Sequence, residues 1–329
     1  MLTEFDKKLL FELDKDGRAS FTELAIMLDT SPQVIKYHYQ KLEDEGILRH
    51  FWAFIDYDKA DYSVFWGYWL KFSGLTKEAE TEMYADFKGN KYIPIVMRCD
   101  GYADVMLGII GHDVFHHNQV LQGVFEKYGQ YVAESDLAVG LSFHKFPRTY
   151  FIGGNNEIGE YKMSGGTTEK VKLSELDRKI LSLLQVDGRM EFTKIAKKVG
   201  VTAGLVQKHY KKLWEKGVIT KITYTPGYAE MGMTLYRVLF KIGQFNSKRV
   251  DELYQFCLKH PNVIHYVKSM GNWELMLDIE IEDRTKLRNV IRTMKQQFKD
   301  IITRVEINEV YKMDKFTQMA VEYPDLVLS

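Results

Sequence analysis

The sequence predicts an α+β protein made of two tandem copies of one unit, each a tri-helical domain followed by a small βαββαβ sandwich. Three observations carry this. The chain matches itself when shifted by 171 positions, each half opens on apolar residues at helical spacing, and each half continues as alternating strand-like and helix-like segments.

The repeat sets the organisation. LTEFDKKLLFELDKDGRASFTELA from Leu2 lies over LSELDRKILSLLQVDGRMEFTKIA from Leu173, and IKYHYQKLEDEGIL from Ile35 over VQKHYKKLWEKGVI from Val206. With a one-residue slip, GYADVMLGIIGHD from Gly101 lies over GNWELMLDIEIED from Gly271. The expected boundaries are a helical domain at 1–55, a sandwich at 60–148, a linker at 149–171, a second helical domain at 172–226, a second sandwich at 232–312 and a tail at 313–329. Gly, Asn, Ser and Thr in GGNNEIGEYKMSGGTTEK (Gly153–Lys170) suit the linker.

Thr3-x-x-Asp6 and Ser174-x-x-Asp177 pair a hydroxyl with a carboxylate, the start signal of a capped helix. Leu9, Leu10 and Leu13, and Ile180, Leu181 and Leu184 in the copy, then recur at helical spacing until Asp-Gly-Arg interrupts them at Asp16 and Asp187. A short second helix carries Phe21, Leu24, Ala25 and Leu28, matched by Phe192, Ile195, Ala196 and Val199, and Asp29 or Gly200 stops it. The third helix begins at Ser31-Pro32 or Thr202 and runs out at Gly46 or Gly217. Wing strands follow at Ile47–Ile55 and Val218–Tyr224. Three short helices with a tight turn before the last make a winged helix-turn-helix, whose last helix can lie in a DNA major groove.

That helix divides by face. Ile35, Tyr39 and Leu42, and Val206, Tyr210 and Leu213, recur at i, i+4 and i+7 and are expected in the core. Gln33, Lys36, Tyr37, Gln40 and Lys41 then face outward in the first copy. Gln207, Lys208, Lys211 and Lys212 do so in the second, with His38 and His209 at the edge. Lys and His neutralise phosphate and Gln pairs with base edges, so these residues, with Lys194, Lys197 and Lys198 on the preceding helix, are the candidate DNA contacts.

The formal net charge of zero hides a division. Residues 1–160 hold 16 Lys+Arg against 25 Asp+Glu, and residues 161–329 hold 29 against 20. Within the helical domains, residues 1–50 carry 7 against 10, while residues 172–221 carry 12 against 5. Phosphate neutralisation drives most duplex affinity, so the second winged helix is the expected main DNA reader.

The sandwich strands are expected at Val64–Phe72, Ile93–Arg98, Val105–Ile110 and Val132–Leu141, with helices at Lys77–Lys88 and Val114–Lys127. The copy places strands at Leu235–Ile242, Val263–Met270, Leu275–Ile281 and Thr303–Tyr311, with helices at Ser247–Lys259 and Arg284–Phe298. This is a ferredoxin-like order. The run VFWGYWL from Val64 is apolar at nearly every position, so the face away from the helices is expected to meet a second sheet.

Together, L-x-x-x-D-x-x-[LI]-L-x-x-L-x-x-D-G-R, the capped helix ending L-[EW]-x-x-G-[IV], and a sandwich with Gly101-x-x-Asp104 or Gly271-x-x-Glu274 resemble the Lrp/AsnC regulators and their RAM domain. The resemblance covers nearly the whole chain, twice. It implies a DNA-binding transcription regulator whose RAM sheets pair, either within one chain or in a homodimer. It also implies an amino acid or related effector near the glycine–acid loops, at Gly101, Tyr102 and Asp104 and at Gly271, Trp273 and Glu274. Members of that family usually carry arginine where His38 and His209 stand, which bears on phosphate affinity. A sirohaem-decarboxylase-like enzyme and a sensor without DNA binding are the alternatives on the same fold.

Other chemistry finds little footing. His112 and His116 have the i, i+4 spacing of metal ligands without a third ligand in the sequence, so no metal is expected. No phosphate loop, nucleophile elbow or zinc motif occurs, and neither an enzyme nor a cofactor is expected. Two cysteines, Cys99 and Cys257, and a charged amphipathic amino terminus lead to the expectation of a soluble cytoplasmic protein, away from membranes.

Overall fold

Capping chemistry sets the helix boundaries. In the computed structural model, α1 (Glu4–Lys15) and α6 (Glu175–Val186) both start in full capping boxes, on Thr3/Asp6 and Ser174/Asp177. The second helices, α2 (Phe21–Met27) and α7 (Phe192–Val199), end where Asp29 and Gly200 turn left-handed, with φ of 50° and 74°. The third helices, α3 (Pro32–Asp44) and α8 (Ala203–Glu215), are capped by Ser31 and Thr202. The structure describes residues 2–60, 62, 64–154, 159–166, 169–243 and 246–320. Parts of the expected linker (155–158 and 167–168) and of the tail (321–329) lie outside them.

The wing strands differ from the expectation of one wing per copy. β1 (Leu48–Ile55) pairs antiparallel with β7 (Ile219–Pro226), so each copy supplies one strand of a shared ribbon. The Asp-Gly-Arg turns lock it. Gly17 N–H donates to Ile222 O (3.0 Å) and Gly188 N–H to Phe51 O (2.7 Å). A Cβ on Gly17 would stand 2.8 Å from Ile222 O, and one on Gly188 2.9 Å from Trp52 N, so only glycine permits this approach. Arg18 then donates to Gly188 O (2.7 Å) and Met190 O (3.3 Å), while Arg189 donates to Gly17 O (2.5 Å) and Ala19 O (3.1 Å). Each guanidinium also sits on rings, Arg18 over Phe192 and Tyr210, Arg189 over Tyr39 and Phe51.

Each sandwich has the expected order. In the first, β2 (Val64–Phe72), α4 (Lys77–Gly89), β3 (Ile95–Gly101), β4 (Val105–Gly111), α5 (Val114–Tyr128) and β5 (Val132–Lys145) form a sheet ordered β5-β2-β4-β3. In the second, β8 (Thr234–Ile242), α9 (Ser247–Lys259), β9 (Val263–Gly271), β10 (Leu275–Ile281), α10 (Arg284–Gln297) and β11 (Ile302–Phe316) give β11-β8-β10-β9. The sheets then join at both edges, β3 to β11 and β9 to β5, closing a ring. The two sandwich units therefore pair within one chain. Inside the ring both copies contribute to one core, with Trp69, Met97 and Met106 against Leu239, Val267 and Trp273. The helices cover the outside.

The segment expected as linker also carries structure, because β6 (Tyr161–Gly165) extends the sheet from β5. The expected tail starts inside β11. Beyond it, Thr317–Ala320 are buried, with Met319 and Ala320 in the core of the second winged helix.

Buried charges tie the winged helices to the ring. Asp14 of α1 accepts from Lys145 Nζ (2.9 Å), Arg148 Nη1 (2.5 Å) and Thr223 Oγ1 (3.0 Å). The other edge of Arg148 pairs bidentately with Glu280 of β10, at 2.8 and 2.9 Å. Burial pushes the Asp14 carboxyl upward, but Lys145, Arg148 and Lys221 outweigh it and hold the group below the usual carboxylate range. Burial brings Lys145 down to about 8 despite Asp14, so both members are charged at neutral pH.

Candidate nucleic-acid interface and effector cavity

On α8, Val206 and Leu213 are buried, and Tyr210 is half-buried on Phe192. Gln207, Lys208, Lys211 and Lys212 are exposed, as are Lys194, Lys197 and Lys198 on α7. None of the chain's own described residues covers this face. Among the described residues Lys211 has a loose contact with Glu215 at 3.7 Å, and Lys208 and Lys212 have no ion pair.

The first copy presents a different surface. Gln33, Lys36, Tyr37 and Gln40 are exposed, but Lys41 is half-buried and its Nζ donates to Asp6 Oδ2 at 2.9 Å. Gln40 Nε2 donates to Asp44 Oδ1 at 3.0 Å. Two of the outward groups expected to meet DNA are therefore engaged within the domain. His38 and His209 are half-buried, with Nδ1 2.7 Å from the carboxylates of Asp6 and Asp177. These histidines fasten the third helix to the cap of the first, a role that expectation from helix faces alone missed. The signal was present, since both members of each pair are identical in the two copies.

The glycine–acid loops of the two copies, which connect β3 to β4 and β9 to β10, come together. Gly101 and Gly271 adopt φ of 133° and 126°, and a Cβ on Gly101 would lie 2.4 Å from Ile307 O. Asp104 accepts from Lys71 Nζ (2.6 Å) and Phe72 N–H (2.7 Å), and Glu274 from Lys241 Nζ (2.8 Å) and Ile242 N–H (2.8 Å). The acids thus pin each loop to the first strand of its own sheet. Tyr102 and Trp273 meet edge to face at 5.4 Å, beneath the Arg304 guanidinium.

A cavity of about 500 Å³ opens beside them. Of the six expected effector residues, Tyr102, Gly271 and Trp273 line it, whereas Gly101, Asp104 and Glu274 do not. Glu134, Asp136, Lys241, Asn272 and Arg304 complete the wall. Sequence reading missed these because they converge only once the ring closes. Tyr102 Oη donates a short hydrogen bond to Asp136. The wall thus carries two carboxylates, Glu134 and Asp136, and two cations, Lys241 and Arg304, which are paired with Glu274 and Glu306.

The histidines near α5 are accounted for by packing. His117 is buried, its Nε2 3.1 Å from Tyr68 Oη, and His112 stacks on His116 at 5.2 Å.

The profile of the winged helix-turn-helix DNA-binding family matches twice, at residues 2–49 and 173–220, over the two tri-helical domains. An uncharacterised HTH-type transcriptional regulator of Pyrococcus furiosus is 27% identical over 124 residues, which is 38% of this chain and 82% of the relative. The HTH-type transcriptional regulator FL11 of Pyrococcus horikoshii is 27% identical over 122 residues, 37% of this chain and 80% of FL11. Both tri-helical domains are thus winged helix-turn-helix domains of one family, present as a tandem duplication. The chain also shares its full-length fold with the crystal structure of the siroheme decarboxylase NirDL. That match has a TM-score of 0.62 and 13% identity, and covers 98% of this chain and 96% of NirDL. No helix among the described residues is long and apolar enough to cross a membrane.

Proposed function

We propose that this chain is a DNA-binding transcription regulator whose second winged helix is the main reader of double-stranded DNA. The observation that carries the reading is the uncovered outer face of α8, where Gln207, Lys208, Lys211 and Lys212 project beside the exposed lysines of α7. The corresponding first-copy lysine, Lys41, is held by Asp6. The cavity beside Tyr102 and Trp273 is the effector site in this reading, for an amino acid or a related zwitterion.

The test is a DNA-binding measurement across a salt series. Lys208→Glu with Lys211→Glu lowers affinity and reduces the slope of log K against log salt by about 2. Lys36→Glu with Lys41→Glu changes it by less than about 1. Equal losses in the two double variants refute the asymmetry, and no retention by wild type at low salt refutes the regulator.

The full-length likeness to a siroheme decarboxylase favours a second reading, an enzyme of that kind on the same fold. A haem-like absorbance of the purified chain, without DNA retention, selects it.

A further inference from the structure

Gene duplication leaves two quasi-equivalent positions in the ring interior, and they have diverged completely. On three adjacent strands of the second copy, Asp278 stands opposite Arg237 on one side and His265 on the other. Asp278 accepts from Arg237 Nε (2.7 Å) and Nη2 (2.6 Å), and lies 2.8 Å from His265 Nδ1. At the matching register of the first copy Gly108 stands opposite Gly67 and Ile95, and the space is filled by Trp69 and Phe65. The surrounding network is equally one-sided. Asp14 and Arg148 have neutral counterparts in Gln185 and Gln318, two residues that bond each other through the Gln318 backbone. The fold therefore forms at this position without charge. Buried ion pairs are commonly neutral or costly against apolar replacements, so stability alone does not account for the second-copy triad.

The triad leaves one atom uncommitted. Burial raises the Asp278 carboxyl, but Arg237 and His265 outweigh it and hold it below the usual range, so it accepts from His265 Nδ1–H. Burial lowers the imidazole and favours its neutral form, which leaves the lone pair on Nε2. That nitrogen is sealed from solvent and has no hydrogen-bond partner among the described residues, although the side chain is 12% exposed overall. Unpartnered buried atoms occur elsewhere, as at His117 Nδ1. His265 differs in lining a pocket of about 20 Å³, room for one small polar group, whose wall combines Trp52, Met97, Met313 and Phe316 with the buried cations Lys145 and Arg148. Above it lies a cleft of about 660 Å³ between the wing ribbon and the ring, and the two share Thr225, Tyr228, Leu235 and Met313. Arg49, Lys88 and Lys312 line the cleft, together with the carboxylates of Glu309 and Asp314. Arg49 is in an exposed pair with Glu230, one that exchanges partners at little cost, whereas exposed Lys312 lies 3.3 Å from the buried carboxylate of Asp314, which Arg98 also holds.

We propose that the cleft and the pocket beneath it form a small-molecule site for an aromatic carboxylate with a hydroxyl at its inner end, the hydroxyl donating to His265 Nε2. The aromatic body lies against Met313 and Tyr228, and the carboxylate pairs with Arg49, whose exposed partner Glu230 it displaces. This site is separate from the cavity at Tyr102 and does not depend on DNA binding.

Titration calorimetry on the full chain without DNA tests it, using 4-hydroxyphenylacetate and phenylacetate as probes. Wild type binds the hydroxylated acid at least tenfold more tightly, because the analogue leaves Nε2 unpaired. His265→Leu, which leaves Asp278 its two bonds from Arg237, removes that preference, and Tyr102→Ala does not. The preference in wild type is decisive even if His265→Leu folds poorly. Equal affinities, no binding of either acid, or loss of binding on Tyr102→Ala instead overturns the proposal.

Discussion

Lys315 shows how a single buried group can make stability depend on pH. Its ammonium donates to Lys88 O (3.0 Å) and Asn90 O (2.8 Å), and burial pushes it from 10.5 down to about 8. Between these values the unfolded chain binds a proton that the folded chain has released, so stability rises with pH through that window. The rise attributable to Lys315 is ~2 kcal/mol between about pH 7.5 and about pH 9.5. Urea unfolding at the two pH values should show a smaller increase in Lys315→Met than in wild type, and equal increases would refute the assignment. Gly101 is sensitive for a different reason. Gly101→Ala forces a Cβ against Ile307 O at a φ that L-residues rarely adopt, and is expected to cost ~1–3 kcal/mol by thermal unfolding. Neither effect was legible in the sequence, where Lys315 reads as an ordinary strand lysine and nothing near Gly101 shows which strand will cross it. The outward lysines of α8 were legible, because helical periodicity alone decides which side of Val206 and Leu213 they occupy.

At the scale of elements, the helices and the strand order follow from local patterns, while the pairings between copies do not. Hydrophobic period and caps specify α1 to α3 and α6 to α8 almost to the residue. β1 and β7 could each have been read as a wing of its own domain, since an apolar strand does not encode its partner's identity. Their clasp was nevertheless visible in outline: Asp-Gly-Arg is identical in both copies, more than a helix stop requires. Its energetics are testable. Arg18→Ala and Arg189→Ala each remove bonds to two partly buried carbonyl groups and are expected to cost ~1–2 kcal/mol in denaturant unfolding. The two arms close one interface, so the double variant should lose less than the sum of the singles. Strict additivity would mean that the arms act independently.

At the scale of the whole molecule, ring closure pairs the two sandwich units within one chain. Each half alone would leave two strand edges open, β3 and β5 in one and β9 and β11 in the other, with the apolar inner face exposed between them. Closure also frees the copies to differ, since no symmetry requires that a residue placed in one appear in the other. That freedom explains why α8 is basic where its counterpart α3 is partly neutralised, and why charge gathers around His265 while glycine and isoleucine occupy the matching site. If the ring rather than the linker holds the halves together, continuity of the chain is dispensable. Produced as separate polypeptides 1–154 and 159–329, the halves should co-purify in equal amounts with the circular dichroism spectrum of the intact chain. The association buries both edge pairings, the wing ribbon, and the contacts of Asp14 and Arg148 with Thr223 and Glu280. Halves that each fold but remain apart at micromolar concentration would show that the pairing needs the covalent link. In that case the divergence of the copies would have to be explained without a self-sufficient interface.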